Sequence, residues 1–278
     1  MSEAKGMVIN MNKRGKSKAF IADSKEVDFF SLLEAENAVH GVETVVCSIG
    51  ENPSKARLTQ GNNEDMYLII ADNLGLVASK IGVKQVIFKA SKELSNRSEI
   101  LQTLKSYNID VKILHEEIAG SLPQKGNYKR ISNVCSVQRL PLPPSCGAQW
   151  VAQHYMEWLP KFSKGIIKVK EHEQGVFGFY LFFLPSALLQ LTLTAEESSK
   201  DRVLYYVTGG LLANSLNKKY KGRFEFRKVL GGKYVLAAIH DFIPALPWHI
   251  YRLTQAPIHL LVMNSFGRHL KTTKLGQT

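Results

Sequence analysis

Cysteine is scarce in this chain, and its spacing excludes several functions. The three thiols, Cys47, Cys135 and Cys146, form no C-x-x-C pair, so neither a disulfide scaffold nor a zinc ribbon is encoded. Eight histidines are present, but none sits in H-E-x-x-H or in a Cys/His group with zinc spacing, and no metal site is expected. No tyrosine of the ten is followed by lysine four residues later, which removes the phenol–ammonium pair of tyrosine-based reductases. Glycine-rich phosphate loops are missing too: there is no G-x-G-x-x-G and no P-loop. The amino terminus, MSEAKGMVIN, lacks the long apolar core of a secretion signal. With the cysteine usage, this gives the expectation of a cytoplasmic protein.

Acidic residues are thinly spread in the second half. The net charge of +12 divides into +3 for residues 1–140 and +9 for 141–278. A basic half of this kind suits a solubilising surface, anionic lipid or an acidic ligand. Lys168-Val169-Lys170 and Lys218-Lys219-Tyr220-Lys221 carry part of this charge, without a nucleic-acid-reading signature, so no specific nucleic-acid partner is expected.

Only one uncharged run approaches membrane-spanning length, Val176–Ala195 (VFGFYLFFLPSALLQLTLTA). Pro185 at its centre and the polar Gln190 favour a strand, a Pro-Ser turn and a second strand over a helix. Contact with a membrane surface stays open, making the protein cytoplasmic or membrane-peripheral.

Periodicity then sets out two blocks. In the first, strand-type runs at 7–11, 18–22, 44–47, 83–90 and 111–114 alternate with helical patterns at 31–39, 64–81 and 98–107. This alternation is that of parallel βαβ units. Residues 123–147 are rich in proline and glycine and read as a linker, with one strand at 135–140 leading into it. The second block, 148–278, opens with an aromatic helix (Trp150, Tyr155, Trp158) and continues through six strand-type runs to a long apolar helix beginning near Pro257. Gly231-Gly232 reads as a hairpin turn between two of those strands.

Few constellations carry chemistry. Lys13-Arg14 follows the first strand, where a basic residue can pair with a ribose 2′-phosphate. His240-Asp241 offers a base beside a carboxylate, although strand neighbours point to opposite faces. His249 and His259 flank the turn into the last helix.

KAFIAD followed by SLLEAENAVHGVETVVCSIG, then ADNLGLVASKIGVKQVIFKAS and LSNRSEILQTLKSYNIDVKILHEEIAG, resembles the middle of an atypical short-chain dehydrogenase/reductase of the NAD(P)-binding, epimerase-like branch. The likeness covers 18–120. It implies a Rossmann-like domain over residues 1–122 whose first strand and glycine loop are missing. It also implies cofactor contacts at Asp23, Ser48, Gly50 and Ser91, beside Lys13 and Arg14, with NAD(P) binding weakened or lost. A sheet lacking its central strand must expose backbone groups, close in a new order or borrow a strand.

From WVAQHYMEWLP to the carboxyl-terminal helix, the order of elements is similar to the helix-grip folds of START-like and polyketide-cyclase-like proteins, found in bacteria behind such domains. That resemblance implies a small apolar ligand held among Phe179, Phe183, His240 and Trp248. The expected fold is α/β: a truncated Rossmann-like parallel sheet followed by an α+β helix-grip-like domain. The function follows in two forms, an NAD(P)-binding-type protein whose chemistry, if retained, is oxidoreductase or epimerase-like, or a non-catalytic protein that binds a hydrophobic ligand or a membrane surface.

Overall fold

A computed structural model describes residues 6–10, 24–49, 54, 56–90, 98–115, 133–173, 175–214 and 222–273. The chain forms two units: Met1–Arg57 with Asn62–Ile131, and Leu58–Gly61 with Ser132–Thr278.

The first unit is built on five strands, β1 (Gly6–Asn10), β2 (Ser24–Val27), β3 (Thr44–Ile49), β5 (Gln85–Ala90) and β6 (Asp110–His115), in spatial order β2-β1-β3-β5-β6. Helices α1 (Leu32–Val39), α2 (Asn63–Ile81) and α3 (Ser98–Lys105) connect them. Each helix end has a local cause. Ser31 Oγ accepts from the Glu34 amide at 3.3 Å, and Asn62 Oδ1 accepts from the Asp65 amide at 2.7 Å, so both α1 and α2 carry side-chain N-caps. Gly82, at φ +83°, ends α2 by returning its N–H to the Ala78 carbonyl.

Strands β3, β5 and β6 are parallel, as the alternating pattern requires. The expectation of an all-parallel sheet is corrected at β1. This strand lies beside β3 but runs antiparallel to it, with Gly6 opposite Ile49 and Asn10 opposite Val45, and β2 pairs antiparallel with β1. Of the three ways to complete a sheet without its central strand, the chain uses a new order: an antiparallel pair covers the open edge of β3.

The second unit is one eight-stranded sheet, in order β4-β7-β13-β12-β11-β10-β9-β8. Its strands are β4 (Leu58–Gln60), β7 (Val134–Pro141), β8 (Ile167–Glu171), β9 (Val176–Leu181), β10 (Leu189–Leu193), β11 (Arg202–Gly209), β12 (Arg223–Val229) and β13 (Tyr234–Phe242). All neighbours are antiparallel except β4 and β7. Two expected boundaries change here. Val134–Pro141 is a full strand of this sheet, not part of a linker over 123–147, and the edge strand β4 comes from within the first block. The strand at 135–140 is expected from the sequence, but the prolines after residue 140 make it read as part of a linker, and a three-residue strand such as β4 has no readable period.

Helices α4 (Ala148–Phe162) and α6 (Gln255–Thr272) pack on one face of the sheet, and short α5 (Trp248–Leu253) leads into α6. Alternation along the strands decides which side chains meet them. Phe224 and Phe226 of β12, Val203 and Tyr205 of β11, and Val235 and Ala237 of β13 point into the helix-facing core. Tyr155 fills its centre, with its ring 5.8 Å from Phe224, 5.8 Å from Phe226 and 5.2 Å from Phe266. Each buried ring of this size removes enough apolar surface from water to favour folding by about 2 kcal/mol. Gly231 (φ +65°) and Gly232 (φ +91°) turn β12 into β13, as the glycine pair foretells.

Candidate docking surface

Strand direction sorts the second unit into two ends of different chemistry. At one end lie the α4–β8 turn, the β9–β10 loop, the start of the β11–β12 connection and the β13–α5 loop. Backbone hydrogen bonds stitch them into a row: Phe182 N–H to the Ile166 carbonyl (3.0 Å), Leu211 N–H to Ala187 (3.0 Å), Leu212 N–H to Leu188 (2.9 Å) and Ala245 N–H to Leu212 (3.0 Å).

Large apolar side chains on this row face solvent. Phe182 is 61 % exposed, Phe183 62 % and Leu253 76 %, with Ile166, Leu211 and Ile250 also exposed. Phe182 and Phe183 meet edge to face, their ring centroids 5.0 Å apart. The α5–α6 surface extends the apolar character through Ile258 and Leu261. Single exposed hydrophobes are ordinary; a row of them along one rim makes a candidate contact surface.

Charge is segregated in the same way. The sequence carries no Asp or Glu between Glu157 and Glu171, between Glu173 and Glu196, between Asp201 and Glu225, or after Asp241. These stretches hold the rim loops and the helix ends beside them, which display Lys161, Lys164 and Arg252, with Glu157 one turn before Lys161 on α4. Glu171, Glu173, Glu196, Glu197 and Asp201 lie at the opposite strand ends.

A buried polar cluster lies under the sheet and reaches the rim end at Arg223 and His240. On β11, β12 and β13 the side chains facing away from α4 and α6 include Arg202, Arg223, Glu225, Arg227 and His240. Arg202 Nε donates to Glu225 Oε2 at 2.8 Å and Arg227 Nη2 to the same oxygen at 3.2 Å, while His240 Nε2 lies 3.5 Å from Oε1. Burial alone would raise the Glu225 carboxyl, but the guanidinium charges of Arg227 and Arg202 outweigh it and hold the group well below the usual carboxylate range. Burial lowers His240, against the opposing pull of Glu225, so its imidazole stays neutral.

Asp241 interrupts β13. The register shifts between Ile239 and Phe242, and Asp241 takes φ +55°, a β-bulge conformation unusual outside glycine. Its carboxylate accepts from Arg223 Nη2 at 2.7 Å and from Asn133 Nδ2 at 3.3 Å. The bulge and its bonds fix the direction in which the chain leaves the sheet toward Ile250 and Leu253.

The sequence-derived candidates fall in different places. Lys13, Arg14, Asp23, Gly50 and Ser91 lie outside the described residues, and Ser48 sits in β3 opposite Met7 and Lys89. The four proposed ligand contacts are not gathered at one site. Phe179 points into the helix-facing core, His240 lies on the other sheet face, Phe183 is exposed at the rim, and Trp248 stacks on Tyr251 at the start of α5. Sheet alternation separates the first two, a consequence the linear order of elements does not carry. Val176–Ala195 is the expected strand–turn–strand, with β9 and β10 paired and Phe182 and Phe183 in the turn. Among the described residues no helix is long and apolar enough to cross a membrane.

Cys47 is buried, and burial pushes its thiol up to about 12, which leaves it inert; Cys135 and Cys146 are likewise unbridged. Among the described residues no three His, Cys, Asp or Glu side chains converge as metal ligands.

No protein-family model matches this chain. It is similar to auxiliary protein GraX of Staphylococcus aureus, with 26% identity over 245 residues, covering 87% of this chain and 77% of that protein.

Proposed function

We propose that this chain is a non-catalytic accessory protein that docks on an anionic membrane surface through the rim of its second unit. One observation carries the reading: the loops and the short helix α5 at one end of the sheet expose Phe182, Phe183, Leu211, Ile250 and Leu253 while containing no acidic residue. Aromatic and aliphatic tips enter the interfacial region of a bilayer, and nearby lysine and arginine add attraction to anionic headgroups. The name of the Staphylococcus aureus relative, an auxiliary protein, fits a role that assists rather than catalyses.

The first unit fits the same reading. A dinucleotide rests its pyrophosphate where a parallel first strand passes through a glycine loop into a helix. Here the strand beside β3 runs antiparallel to it, which supports a unit without that passage. We read the unit as a relative of short-chain dehydrogenases that keeps β3, β5 and β6 as a scaffold and has given up NAD(P).

Flotation with phosphatidylglycerol vesicles tests the docking role. The protein is expected to rise with these vesicles at low salt, less at high salt, and to stay behind with phosphatidylcholine alone. Protein remaining at the bottom with both lipids rejects the reading.

A further inference from the structure

A second surface, at the opposite end of the same sheet, has the chemistry to hold a protein partner. β7 pairs with β13 along Val134–Pro141, but β4 covers its other side only from Val134 to Ser136. Gly61 then crosses so close to Val137 that a Cβ there would lie 2.3 Å from the Val137 carbonyl oxygen. Beyond that crossing, among the described residues, no strand pairs with the outer edge of Gln138–Pro141. Between this edge and the last turns of α6 lies a groove of about 240 Å³ lined by Gln138, Arg139, Leu140, Asn264, Arg268 and Lys271. Gly267 permits the close approach, because a Cβ at that position would already stand 3.1 Å from Leu140 Cδ2.

Two independent features converge on one occupant. A strand edge offers main-chain donors and acceptors to an extended backbone. The groove walls supply three cationic and two amide side chains, with no carboxylate among them. The guanidinium of Arg139 lies 5.2 Å from the centre of the Tyr234 ring, and Arg268 Nη2 donates to Ser265 Oγ at 3.1 Å, so both arms are held in place. We propose that the β7 edge and the α6 carboxyl-terminal turns form a docking groove for an extended acidic segment of a partner protein, which adds along Gln138–Pro141 and places its carboxylates on Arg268 and Lys271. The groove stands at the strand ends away from Phe182 and Phe183, so a membrane on the rim leaves it open. This inference goes beyond the docking reading and does not depend on it.

The test uses a short fluorescein-labelled peptide alternating glutamate and valine, titrated with the full chain and followed by anisotropy. Micromolar binding is expected. It should fall about tenfold or more in a double Arg268→Glu, Lys271→Glu variant. It should also be lost with the same peptide N-methylated along one backbone edge, which removes only strand pairing. Both substitutions lie on exposed helix surface, and far-ultraviolet circular dichroism verifies that α6 is intact. Absence of binding at millimolar peptide, or binding that tolerates N-methylation or charge reversal, overturns the proposal. In vesicle flotation the double variant should behave as the parent chain; loss of flotation would make the groove a lipid headgroup site and overturn the peptide assignment.

Discussion

Arg223 and Asp241 form a 2.7 Å ion pair in which both side chains are about nine-tenths buried, and Asp241 holds it from a left-handed backbone position. The pair sits where β13 bulges, so its loss is felt both in the sheet and in the loop that carries α5. Asp241→Asn keeps a residue that tolerates positive φ but leaves the Arg223 guanidinium without that carboxylate. The expected cost is about 3–5 kcal/mol, the range for breaking one side of a buried pair. Urea denaturation should show a lower midpoint with an unchanged slope.

Acid should destabilise the second unit in two stages. His240 is lowered by burial, so the folded state disfavours its proton while the unfolded chain accepts it near the ordinary value of 6.5. Stability is therefore fully present above that value and declines as pH falls below it. Desolvation gives His259 the same sign, down to about 4, and desolvation together with the charge of His269 does so for His154. Glu225 is depressed by Arg227 and Arg202 against the upward push of burial, so its contribution is present above about 4.3 and is lost as pH falls through its folded value. Thermal melting between pH 8 and 3 should show a level region, then a decline starting near 6.5 and a steeper one below about 4.5. A midpoint that rises on acidification contradicts the neutral assignment of His240.

Gly75 inverts the usual helix rule. Alanine is worth about 1 kcal/mol over glycine in a helix interior. At Gly75, however, a Cβ would stand 2.3 Å from Tyr107 Cδ2, and that ring is held by a 2.6 Å hydrogen bond from its hydroxyl to Asp72. Gly75→Ala should thus destabilise the first unit by about 1–3 kcal/mol, the usual cost of overpacking. Denaturation of the variant beside the parent chain decides the sign.

The proposed loss of NAD(P) gives a simple titration. NADPH should leave intrinsic fluorescence unchanged up to millimolar concentration. Saturable quenching at micromolar NADPH would return the first unit to the enzymes its sequence resembles.

Much of the fold was legible because periodic burial was regular. Met66, Ile69, Ile70, Leu74 and Val77 spell out α2, and the Val/Ile runs at β3 and β5 mark parallel strands with both faces covered. Strand direction was not legible: Gly6–Asn10 reads the same whether it runs with β3 or against it, since a five-residue strand carries no vector. Register hid the relation of Phe179 to His240, because which sheet face each meets depends on pairings across four intervening connections. Phe182 and Phe183 were visible as apolar residues ahead of the Pro-Ser turn; the pairing of Leu189 with Phe179 places them in the turn itself. The acid-free rim was encoded as segments scattered from Lys161 to Leu253, and only the ladder order brings them side by side.

Vesicle flotation of the double variant Phe182→Ser, Phe183→Ser addresses the docking role most directly. Two exposed rings that enter a bilayer each contribute about 2 kcal/mol, so their removal should weaken binding to phosphatidylglycerol vesicles by about a hundredfold or more while thermal stability stays unchanged. Unaltered flotation of this variant would contradict the account.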